Sequence, residues 1–152
     1  MGKGGFVNEE ELKLRLKSMA LRVIRLVDSL PPGVTSKIIA SQLIRSATSV
    51  PANYRSACRA RSRADFLNKL GIVEEEADET QFWIEMLVDA GLMKPARVER
   101  LLSEVNELIA IIVASRITLK KKMEMKVGGH KKPSSANRKS KIANRKSDGN
   151  VS

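Results

Sequence analysis

The chain has one cysteine, one histidine and very few aromatic residues, and each shortage closes off a class of protein. A single cysteine, Cys58, forms no internal disulfide, so the fold is not disulfide-stapled and a reducing compartment is expected. The lone histidine, His130, sits in a polar C-terminal stretch without an orienting partner. General acid–base or triad chemistry would have to do without an imidazole. No run approaches the roughly 20 apolar residues of a membrane span, and residues 1–7 lack the apolar segment of a secretory signal. A cytoplasmic location with no membrane partner is the expectation. Aromatics make up 3% of the 152 residues, so the core must be aliphatic, which suits helix packed on helix.

What is abundant is positive charge, and it is unevenly placed. The formal net charge is +11, yet residues 9–119 hold 16 Lys/Arg against 15 Asp/Glu, while residues 120–152 hold 11 against 2. A nearly neutral folded part therefore carries a polycationic tail, and such tails act on anionic polymers. Three parts are expected: a flexible N-terminus (1–8), a helical domain (9–125) and a disordered basic tail (126–152). The tail has too little apolar content to repay the entropy of ordering. It repeats ANRKS at 136–140 and 143–147.

Start and stop signals divide the domain into four helical segments. The first runs from Glu9 to Leu30, with Asn8 as cap, Glu9, Glu10 and Glu11 in the first turn and Pro31-Pro32-Gly33 beyond it. Leu12, Leu16, Met19, Val23, Leu26 and Leu30 form its stripe. The second spans 36–60, capped by Thr35 or Ser36, with Ile39, Leu43, Ala47, Val50 and Tyr54 inward. Pro51 should kink it rather than stop it, because the stripe continues to Tyr54. Ser62 caps the third, which ends at Ala90 before Gly91 and buries Phe66, Leu70, Val73, Ala77, Ile84 and Val88. Pro95 opens the fourth, whose stripe is Val98, Leu102, Val105, Ile109, Ile112 and Val113 and which should fray near 123–125. The expected fold is an all-α, antiparallel four-helix bundle with a kinked second helix.

Catalytic sets are hard to assemble. Arg55 and Arg59 could lower the pKa of Cys58, but no histidine base is near, and a small semi-buried thiol is the simpler role. The acidic run Glu74, Glu75, Glu76, Asp78 and Glu79 lacks the Glu-x-x-His pairs of di-iron bundles. No glycine-rich phosphate loop is present. No metal, no cofactor and no enzymatic activity are expected.

Two surface features stand out. Lys37, Arg45, Arg55 and Arg59 fall within an arc of about 80° on the second helix, and Arg61 and Arg63 follow in the connection. Such spacing can follow a phosphate backbone, although the same residues also fit a solvated face or ion pairs with the acidic run. The second feature is surplus hydrophobicity. Leu14 and Leu21 lie opposite the main stripe of the first helix, and Ile72, Phe82, Trp83 and Met86 make a second apolar face on the third. Trp, Phe and Met favour interface cores, so these six residues are candidates for a subunit interface. Scattered exposure is the alternative.

The segment QLIRSATSVPAN at 42–53, followed by Tyr54, an arginine-rich turn, Phe66 and EEADET at 75–80, resembles the four-helix bundle proteins of the 23S rRNA intervening-sequence family. These are similar to the accessory variability determinant proteins of diversity-generating retroelements. The resemblance covers about residues 10–120. It implies a homopentameric ring or barrel with a positive surface, and a reverse transcriptase or ribosomal component as partner. Many relatives carry an acidic residue after the Asn-Tyr segment, where this chain has Ser56. Asn53, beside the buried arc, should be hydrogen-bonded across the kink, and Arg45 and Glu79 could pair structurally.

The function expected from all this is non-enzymatic binding of RNA or DNA by an oligomer. Phosphates would meet Lys120, Lys121, Lys122, Arg138, Lys139, Arg145 and Lys146, helped by the second helix. The alternative is a protein-binding scaffold with no direct nucleic-acid role.

Overall fold

A computed structural model describes residues 7–129. It has four helices, α1 (Glu9–Asp28), α2 (Val34–Ala57), α3 (Arg63–Asp89) and α4 (Pro95–Gly128), and no strand among the described residues. The capping residues act as their chemistry dictates. Asn8 accepts from the Glu11 N–H and Ser62 from the Asp65 N–H, each satisfying one orphan donor of a first turn. After α3 the chain turns through Gly91 at φ 70°, a conformation that favours glycine, and the Leu92 N–H reaches back to the Leu87 carbonyl. Pro95 occupies the start of α4.

Some boundaries differ from the sequence expectation. Ser29 closes α1 by donating to the Leu26 carbonyl, so Leu30 lies past the helix and is only partly buried. α2 starts at Val34 on Gly33, with no side-chain cap, and neither Thr35 nor Ser36 serves. α4 runs on through Gly128, beyond the expected fray.

The core is a single aliphatic cluster. Leu16, Val23, Leu43, Ala47, Val50, Val73, Ile84, Leu87 and Ile112 are fully buried, and each large aliphatic side chain so placed contributes roughly 1.5–3 kcal/mol. α2 packs most extensively on α3, α3 on α4 and α1 on α2, with a looser α1–α4 seam; the backbones of the diagonal pairs stay farther apart. The α4 stripe is broader than expected. Leu101 and Leu108 are in the core, while Leu102 and Ile109 flank it, because α4 faces two neighbours at once. On α3, Leu87 displaces Val88 from the core in the same way.

Pro51 lies inside α2, which does not stop there. It takes away one intrahelical donor, and the surrounding side chains bond back to the backbone. Ser49 Oγ donates to the Arg45 carbonyl and Asn53 Nδ2 to the Ser49 carbonyl at 2.8 Å, spanning the proline. Between α2 and α3 the buried Thr80 hydroxyl donates to the Glu76 carbonyl and lies 3.2 Å from Ser46 Oγ, leaving that polar pair satisfied.

Most of the expected flexible N-terminus and basic tail lies outside the described residues. That includes His130, both ANRKS repeats, Arg138, Lys139, Arg145 and Lys146.

Candidate nucleic-acid interface

The basic residues gather where α2 ends, α3 begins and α4 finishes. Arg55, Arg59 and Lys69 line one open depression of about 380 Å³ with Ala52 and Ser56. Arg61 and Arg63 sit in the short connection, which is fixed locally: the Arg61 N–H donates to Asp65 Oδ2 at 3.1 Å, and Asp65 also pairs with Lys69 at 3.3 Å. Those two bonds hold the Asp65 carboxyl below its ordinary range, the Arg61 N–H first. Across from Leu67 and Asn68, Lys120 closes the end of an α3–α4 cleft, and Lys121 and Lys122 follow it, all exposed. Among the described residues, no carboxylate forms an ion pair with Arg55, Arg59, Arg61, Arg63 or Lys120–Lys122.

Two candidates fall outside this group. Lys37 is in the first turn of α2, about 27 Å from Arg55 at 1.5 Å per residue. Arg45 is held by carboxylates: it pairs with Glu79 and, at 3.3 Å, with Glu76. Trp83 Nε1 donates to the same Glu79 oxygen at 3.1 Å, and Arg45 then Trp83 lower the Glu79 pKa. Arg45 therefore meets the acidic run, as the sequence allowed, and its charge is answered within the chain.

Cys58 lies at the edge of the basic end, beside Tyr54, Glu9 and Lys13. Burial and then the Glu9 carboxylate push its thiol above the ordinary value, so the lowering suggested by Arg55 and Arg59 does not occur. Glu9 and Glu10 are themselves taken up by Lys13, at 2.6 and 2.9 Å. Among the described residues no group of three metal-ligating side chains converges, and no helix is long and apolar enough to cross a membrane.

The candidate interface residues fall on two separate faces. Leu14 (68% exposed) and Leu21 stand out from α1. Phe82 (49% exposed) and Ile72 stand out from α3, which lies diagonally across from α1. Trp83 and Met86 are half-buried, with the Trp83 ring edge-on to Phe82 at 4.9 Å between centroids.

One further feature went unread in the sequence. The α3–α4 cleft, about 580 Å³, has Arg116 lying over Gly71 and paired with Glu74, with Ile72 and Ile117 on its walls. An isolated glycine inside a helical pattern was the available signal, since such a residue usually has a packing reason.

A crystal structure of a protein of unknown function from the S23 ribosomal protein family of Bacteroides thetaiotaomicron VPI-5482 is similar to this chain. Identity is 31%, the TM-score is 0.65, and the match covers 71% of this chain and 96% of that one. No curated protein matches. The model of the 23S rRNA-intervening sequence proteins matches residues 10–114, the span of the four helices up to the point where α4 leaves the core, and the chain belongs to that family.

Proposed function

We propose that this chain is a non-enzymatic protein that binds RNA or DNA through its basic end and tail. The carrying observation is that Arg55, Arg59, Arg61 and Arg63 lie at the same end of the helices as Lys120–Lys122, and none of them forms an ion pair with a carboxylate among the described residues. α4 delivers the basic C-terminal segment from that same end. Phosphates held there release counterions, which makes affinity fall steeply with salt. Few aromatics are available to stack bases, so binding is sequence-tolerant.

In this proposal the helices form an antiparallel bundle, kinked at Pro51, that assembles as a homopentamer in the cytoplasm. Antiparallel packing is supported by Arg15 pairing with Glu104 while Arg22 and Arg25 lie beside Arg97. Two distinct apolar faces, Leu14 with Leu21 and Phe82 with Trp83 and Met86, suit a head-to-tail contact. Such heterologous contacts close into rings, and an odd-numbered ring needs them. Several tails on one ring would add avidity. A reverse transcriptase or a ribosomal component is the expected protein partner.

The test is a salt titration of binding to labelled RNA and DNA, with light scattering for the oligomer. The full chain is compared with one ending at Gly128 and with Arg55→Gln/Arg59→Gln. A steep salt slope that both changes reduce is expected. An oligomer that binds no nucleic acid at physiological salt would overturn the proposal in favour of a protein-binding scaffold.

A further inference from the structure

We infer that Arg22, Arg25 and Arg97 form a site for a phosphate group on the α1–α4 seam, remote from the basic end and independent of it. Arg22 and Arg25 are three apart on α1 and share a face, and Arg97 comes from the first turn of α4. The three line one open depression of about 230 Å³, whose other lining residues are Leu26 and Leu101. Both leucines belong to the core, so the arginine stems have an apolar floor to lie on.

No carboxylate lines this depression, and none of the three arginines forms an ion pair among the described residues. By contrast Arg15, two turns earlier on the same seam, is answered by Glu104 and Glu107 at 3.0 and 3.1 Å. The seam thus pairs its charges at one level and leaves three like charges together at another. An anion bound between them removes that repulsion. α4 also opens with no acidic residue in its first turn and no side-chain cap, so nothing there competes for the anion. Guanidinium forks match the oxygens of a phosphate group. The lining offers no aromatic surface and no acceptor for a base, so the phosphate is what is recognised. Arg97 lies about 34 Å along α4 from Lys120, so Lys120 does not contribute to this depression.

The source is either a nucleic-acid backbone or a free phosphate compound, and calorimetry on the full chain separates them. Pyrophosphate titrated into the wild type and into Arg25→Gln/Arg97→Gln should reveal one binding equivalent per chain fewer in the variant. Arg55→Gln/Arg59→Gln should keep that equivalent. Arg25→Lys, which keeps the charge and loses the fork, should weaken it severalfold while leaving the helical melt unchanged. A short RNA without terminal phosphates that competes the pyrophosphate away from this equivalent identifies a backbone site. An RNA that does not compete identifies a free phosphate compound, and the site stands in both cases. If Arg25→Gln/Arg97→Gln melts normally and loses no equivalent, the inference is overturned.

Discussion

Arg45 of α2 and Glu79 of α3 form an ion pair across the most extensive helix contact, and the Trp83 indole N–H closes the same carboxylate from one turn further along α3. This makes Arg45 a residue that holds two helices in register. Both partners are partly exposed, so solvent screens the pair and its loss costs only a modest amount of stability. Glu79→Gln should lower Tm by a few degrees at pH 7. The sign of the pH dependence follows from its carboxyl, which is held below its ordinary value of 4.5 when folded. The stabilisation is fully present above that value and fades as pH falls through the folded pKa. Melting curves from pH 7 to pH 3 should therefore converge for wild type and Glu79→Gln. Curves that stay parallel would mean the carboxylate is not what stabilises this contact.

Gly71 lies beneath the Arg116 guanidinium, and a Cβ there would sit 3.5 Å from Nη2, ordinary van der Waals contact. Alanine fits without moving Arg116 off Glu74. A helix-interior Gly→Ala change that fits gains roughly 0.5–1 kcal/mol. Gly71→Ala should raise the urea midpoint accordingly, whereas Gly71→Leu should lower it by displacing the guanidinium. Destabilisation by alanine would show that the arginine is packed more tightly against the helix backbone than this geometry allows.

Most of this fold was legible because its signals are local. Asn8 and Ser62 cap where their hydroxyl and amide chemistry dictates, and Gly91 and Pro95 punctuate as expected. The α1 stripe from Leu12 to Leu26 and the α2 stripe from Ile39 to Tyr54 are buried as read, while Leu30, past the end of α1, is not. Leu101 and Leu108 were missed because each stands next to another apolar residue, Leu102 and Ile109, and a stripe drawn through one member of each pair leaves out the other. The arginines at 22, 25 and 97 carry no local signal at all. Only the pairing of α1 with α4 brings residues so distant in sequence together. Composition showed that the chain is basic, but not which arginines the acidic run would neutralise.

Phe82 and Leu14 give the assembly a direct test. Both are exposed in one chain, on diagonally placed helices, so replacing either removes little from the core. Surface changes of this kind usually stay within about 0.5 kcal/mol. Phe82→Ser and Leu14→Ser should each leave the helical circular dichroism and chemical melt of a single chain unchanged while lowering the mass seen by light scattering. Ile84→Ala is the contrasting case. That side chain is fully buried, so its truncation should cost about 2–5 kcal/mol. An assembly mass that survives both serine variants would place the subunit contact elsewhere.

The thiol of Cys58 offers a check on the electrostatics at the basic end. Burial raises its pKa first and the Glu9 carboxylate second, while the Tyr54 hydroxyl and Lys13 act in the opposite direction. Thiolate is the reactive form, so alkylation at pH 8 should be slower than for a free cysteine. Glu9→Gln removes one of the raising charges and should shift the midpoint of the alkylation pH profile downward. The profile separates this from fraying of α1, which would raise the plateau rate by exposing the sulfur. A midpoint that does not move in Glu9→Gln would leave burial alone as the cause. A wild-type midpoint below that of free cysteine would instead mean that Arg55 and Arg59 govern the thiol.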